Sequence, residues 1–92
     1  VNNRIYIRVI YMKNIQTIDV EVLARHGFDA KITPIAIKLI NGQRFAIDEI
    51  IDVREGPNPR KGGRALRYQC IIRGKEATLV CDIARTKWYC EV

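Results

Sequence analysis

Residues 65–91, ALRYQCIIRGKEATLVCDIARTKWYCE, decide the fold. Apolar and polar residues alternate through them with the two-residue period of strands that bury one face. Directly opposed residues of a hairpin share a face, so the apolar phase on either side of a turn fixes the parity of the loop. A two-residue Gly74-Lys75 turn sets Ile72 opposite Ala77, Cys70 opposite Leu79 and Tyr68 opposite Cys81. A four-residue connection at 83–86 then sets Cys81 opposite Trp88 and Leu79 opposite Cys90. The stretch therefore predicts a three-stranded meander with Tyr68, Cys70, Leu79, Cys81, Trp88 and Cys90 on its inner face, Trp88 being the main core aromatic.

Working outward, the same alternation marks strands at 4–11, 16–24, 35–39 and 44–54, beside those at 65–73, 76–82 and 87–91. A two-residue turn at Asn41-Gly42 would set Lys38 opposite Phe45 and split the apolar residues between faces. A three-residue Ile40-Asn41-Gly42 loop sets Ile37 opposite Phe45 and Ile35 opposite Ile47, which predicts the odd loop with Gly42 left-handed. The series Phe45, Ile47, Ile51, Val53 would carry Glu49 inside, so Asp48-Glu49 marks a bulge or sharp bend, the device by which a short sheet curls. No helical period appears. The expected fold is all-β, a small antiparallel, partly open barrel of the SH3-like kind, with a small β-sandwich as the alternative.

Ninety-two residues, 48% hydrophobic and 28% charged, suit one globular domain. No run approaches the roughly 18 apolar residues of a membrane span. The opening VNNRIYIRVIYM is interrupted by Arg4 and Arg8 and lacks a small-residue cleavage site, so a cytoplasmic location without membrane contact is expected. Met12, followed by Lys13-Asn14, fits a translation start, which would make residues 1–11 an N-terminal extension strand. Cys70, Cys81 and Cys90 read as reduced core residues: their number is odd, no two are directly opposed, and they lack C-x-x-C spacing. The one histidine, His26, reads as an exposed turn residue.

Charge points to function. Residues 1–55 hold eight Lys/Arg against seven Asp/Glu, whereas residues 56–92 hold eight against three, so most of the +6 net charge lies in the last 37 residues. Its focus is GPNPRKGGRALR at 56–67, which carries Arg60, Lys61, Arg64 and Arg67 with no acid. Cations beside glycine-rich backbone are what a phosphate contact requires, and Gly62 and Gly63 are placed to offer backbone donors. The stretch lacks the Gly-Lys-Ser/Thr of a nucleotide-binding P-loop. The outer face of the meander extends the basic surface with Arg73, Lys87 and Tyr89, an exposed ring for base stacking. Cross-strand pairing of Arg73 with Glu76, Arg67 with Asp82 and Asp82 with Lys87 accounts for those charges equally well. Asp48, Glu49 and Asp52 cluster near the bend but offer no acid–base pair, so no catalytic residue, cofactor or metal is expected.

Three motifs, GQRFAID at 42–48, KGGRALRY at 61–68 and KWY at 87–89, resemble a group of small uncharacterised bacterial β-barrel proteins. The resemblance rests on Gly42, Phe45, Ile47, Asp48, Lys61, Gly62, Gly63, Leu66, Arg67, Tyr68, Lys87, Trp88 and Tyr89, and covers residues 32–92. It implies a small β-barrel and a genetic setting of DNA repair or mobile elements, with no established activity. The charge of the loop, rather than the resemblance, sets the expected role: a non-enzymatic accessory protein contacting nucleic acid, DNA or RNA, through the basic loop. The alternative is a protein-interaction module or small regulator, monomeric or a homodimer formed by edge-strand pairing, for which the alternating segment 4–11 is the natural edge.

Overall fold

The computed structural model describes residues 16–91, and the strand expected at 4–11 lies outside them. Among the described residues seven strands form one antiparallel sheet: β1 (Thr17–His26), β2 (Ile32–Lys38), β3 (Arg44–Ala46), β4 (Glu49–Pro57), β5 (Arg64–Ile72), β6 (Lys75–Asp82) and β7 (Lys87–Glu91). Their spatial order is β3-β2-β1-β7-β6-β5-β4. Among the described residues there is no helix, and so none long and apolar enough to cross a membrane.

Strands β3 and β4 are consecutive in the chain yet stand at opposite edges of the sheet, joined only by Ile47-Asp48. In a flat sheet those edges would lie about 29 Å apart, at ~4.8 Å per strand spacing. A two-residue connection spans about 7–10 Å, so the sheet has to curl. Two successive amides hold the corner: Ile47 N–H donates to the Ile35 carbonyl at 2.9 Å, and Asp48 N–H donates to the Ile71 carbonyl at 2.9 Å. The product is a curled half-barrel, a small open barrel made from one continuous sheet rather than the two layers of a sandwich. The bend expected at Asp48-Glu49 is this corner. A bulge follows it, where the β4–β5 register shifts between Ile50 and Asp52. Ile50 is thereby set opposite the core residue Cys70, and Glu49 remains exposed.

The hairpin arithmetic holds at two turns. Ile37 faces Phe45 across a three-residue loop, Leu39 N–H donates to the Gln43 carbonyl at 2.8 Å, and Gly42 is left-handed with φ of 90°. Cys81 faces Trp88, and Leu79 faces Cys90. At the third turn the faces are as expected but the register is displaced by two residues: Ile72 faces Lys75, Cys70 faces Ala77, Tyr68 faces Leu79 and Leu66 faces Cys81. The turn is Arg73-Gly74, with φ of 54° and 75°, the double left-handed geometry of a tight type I′ hairpin, with glycine second. This register sets bulky Tyr68 against Leu79 rather than Cys81. It also gives the strained Arg73 two anchors, an N–H donated to Asp48 Oδ2 at 2.9 Å and a guanidinium 5.5 Å from the Phe45 ring centre. The expected ion pairs Arg73–Glu76 and Arg67–Asp82 are therefore not opposed. β2 also begins earlier than residue 35, because a register shift between Leu23 and Ala24 breaks the ladder opposite Pro34 and lets proline sit inside the strand.

The inner face packs Val20, Ile37, Tyr68, Cys70, Leu79, Cys81 and Cys90 into one cluster. Tyr68 is its buried aromatic and donates its hydroxyl to the Ile32 carbonyl at 2.6 Å, while Trp88 is half-buried against it, ring centres 5.4 Å apart. All three cysteines are free thiols, buried there. Burial pushes Tyr68 up to about 12 and Cys70 up to about 11. His26 ends β1 and is exposed.

Candidate nucleic-acid interface

The basic loop 58–63 does not extend into solvent. It folds back over the outer face of the sheet, where Ala65, Val80 and Tyr89 form a second small apolar cluster. Asn58 is its anchor and is 4% exposed. The Asn58 Oδ1 accepts the amides of Arg60 at 3.0 Å and Lys61 at 3.3 Å, an Asx-type turn, and also the Tyr89 hydroxyl. Its Nδ2 donates to Asp82 Oδ2 at 3.1 Å. Gly62 N–H donates to the Asn58 carbonyl at 3.1 Å, and Asn58 N–H donates to the Gly63 carbonyl at 2.9 Å. The loop amides of Arg60, Lys61 and Gly62 thus point inward at Asn58, whereas the sequence placed glycine donors toward a ligand. Gly62 and Gly63, both left-handed, supply the reversal the loop needs.

Arg60 completes the strap. Its guanidinium carbon lies 4.4 Å from the Tyr89 ring centre, its Nε donates to Thr17 Oγ1 at 2.6 Å, and its Nη1 pairs with Asp19. Tyr89 is 1% exposed beneath it, so the ring expected as a stacking platform is a core residue of this face. Lys87 Nζ approaches Asp19 from the other side at 3.7 Å. Asp19 is held below the ordinary carboxylate range, chiefly by the Arg60 hydrogen bond. Asp82 is buried, which opposes ionisation, but hydrogen bonds from Arg85 and Asn58 outweigh this and hold it low as well.

The remaining cations are distributed unequally. Arg67 pairs with Glu91 and donates Nη1 to the Pro57 carbonyl at 3.1 Å, its stem lying close over Gly56, where a Cβ would stand 2.5 Å from Arg67 Cδ. Arg64 pairs with Glu55 at 3.2 Å and is 68% exposed. Lys61 has no acidic partner among the described residues. Arg73 stands apart, at the β5–β6 turn beside Phe45. Of the expected site residues, then, Arg60, Lys61, Gly62, Gly63, Arg67, Lys87 and Tyr89 belong to the strap or the outer face beneath it, Arg64 alternates with Ala65 to the other side of the sheet end, where it pairs with Glu55, and Arg73 stands at a distant turn. Sequence reasoning missed Asn58, Asp19, Thr17 and Asp82, the residues that receive the loop. Only Asn58, next to prolines and glycines, carried a local signal. No group of three or more His, Cys, Asp or Glu among the described residues is placed to share a metal ion.

Fold and face together define a small all-β half-barrel with a basic strap across its outer surface. No protein-family model, curated protein or solved structure matches the chain.

Proposed function

We propose that this chain is a non-enzymatic accessory domain that contacts nucleic-acid phosphates through the strapped face. What supports this is the positive charge gathered around the strap, where Lys61 has no acidic partner among the described residues, Lys87 is held by a solvent-exposed pair, and Arg64 is held by another at the adjoining sheet end. Exposed ion pairs contribute about 0–1 kcal/mol, so exchanging a carboxylate for a phosphate at these side chains is inexpensive. Arg60 and Arg67 have a different role, fixing the strap and the sheet end so that the exposed cations are presented on a packed base. Such contact is backbone-directed and sequence-tolerant, since Tyr89 is buried and the face offers no other aromatic for stacking among the described residues.

The test is fluorescence anisotropy with labelled single- and double-stranded DNA and RNA, between about 50 and 200 mM salt. Lys61→Ala/Arg64→Ala leaves the strap's buried bonds in place and is expected to weaken binding of every sequence alike, lowering the salt slope by about two contacts. Wild-type binding lost at modest salt, or a double variant that binds as the wild type does, overturns the assignment.

A further inference from the structure

The outer edge of β4 has no partner strand among the described residues. On that edge Ile51 is 50% and Val53 47% exposed, two apolar side chains on a strand whose outward edge is unpaired. Asp52 and Arg54 lie on the opposite face of the same strand, joined by a pair of 2.6 Å between Arg54 Nε and Asp52 Oδ2. An acid and a base two residues apart, flanking one apolar residue, are complementary to themselves. If a second β4 pairs antiparallel with its two-fold axis at Val53, Val53 meets Val53 on the inner face, and Asp52 meets Arg54 twice on the outer face.

We propose that β4 is a self-pairing edge: two copies of this chain join through it into an isologous dimer with one sheet running across both half-barrels. The bulge after Ile50 and Pro57 at the strand end confine the ladder to a few residues around Val53. That limits the contact to one register, and the two-fold operation closes it, so pairing stops at two. The edge adjoins the strapped region, since Arg54 stands opposite Arg67 and Glu55 pairs with Arg64, but its test reads mass rather than nucleic-acid contact, so the two readings fail separately.

The test uses the full chain and measures mass against concentration by analytical ultracentrifugation, with far-UV circular dichroism to verify the fold of each variant. The wild type is expected to pass from 10.6 kDa to twice that mass as concentration rises. Asp52→Arg alone and Arg54→Asp alone each place like charges opposite one another at two sites, raising the dimer dissociation constant by about tenfold. The double variant exchanges the two charges and is expected to restore dimerisation. Three outcomes overturn the proposal: a wild type that stays monomeric, a double variant no better than the singles, or a dimer indifferent to all three.

Discussion

Replacing Asn58 with alanine tests whether one buried amide secures the whole outer face. The substitution removes four hydrogen bonds: two from the amides of Arg60 and Lys61, one from the Tyr89 hydroxyl and one to Asp82. The two amides lie on the exposed strap and regain water, so they contribute little to the loss. The Tyr89 hydroxyl and the Asp82 carboxylate are buried, and losing a neutral and a charged hydrogen bond there costs about 1 and about 2 kcal/mol. A total of about 3 kcal/mol corresponds to a fall in Tm of about 12–24 °C for a domain of this size. Thermal unfolding followed by circular dichroism or calorimetry reads the effect. The control is Lys61→Ala on the same loop, expected to stay within about 0.5 kcal/mol of the wild type. An Asn58→Ala variant melting within about 4 °C of the wild type would show that the strap rests on the sheet without holding it.

Three further outcomes follow from the same geometry. Stability should fall as pH rises past 9, because Cys70 and Tyr68 ionise at their ordinary 9.0 and 10.0 only when unfolded, and the decline should level off near 12, where the folded groups ionise too; thermal melts across this range measure it. Gly42→Ala forces a Cβ into a φ of 90° and should lower stability by about 1 kcal/mol or more in urea titration, with nothing else nearby to clash. Cys70, Cys81 and Cys90, at 0%, 3% and 7% exposure, should react with a thiol reagent only as fast as the sheet opens, and rapid labelling in native buffer would contradict their place in the core.

Much of this fold was legible because hairpin parity is a local property. Phe45 and Ile37 had to meet, which required the odd loop with Gly42, and Trp88 and Cys81 had to meet, which fixed the last turn. The β5–β6 turn was displaced because parity cannot distinguish registers two residues apart. That choice was made by packing of Tyr68 on Leu79 and by Asp48, distant in sequence, receiving the Arg73 amide. Alternation through 44–54 marked the bend but concealed that it divides two strands at opposite edges of the sheet, since both present apolar residues to one barrel interior. The strap was invisible for a further reason. Its arginine looked free because Asp19, 41 residues earlier, enters its surroundings only after the sheet has formed.

The corner also bears on how the molecule comes apart. One half of the sheet is β1, β2 and β3, the other is β4 to β7, and within each half every strand pairs with its neighbour in the chain. Strand pairing joins the halves along one long-range seam, β1 against β7, where Thr17 faces Glu91. Arg60, carried by the second half, reaches across this seam to Thr17 and Asp19 of the first. The strap is therefore a clasp over the slowest-forming junction, closing after the local hairpins are in place. Loosening it should act on how fast the protein unfolds rather than on how fast it folds.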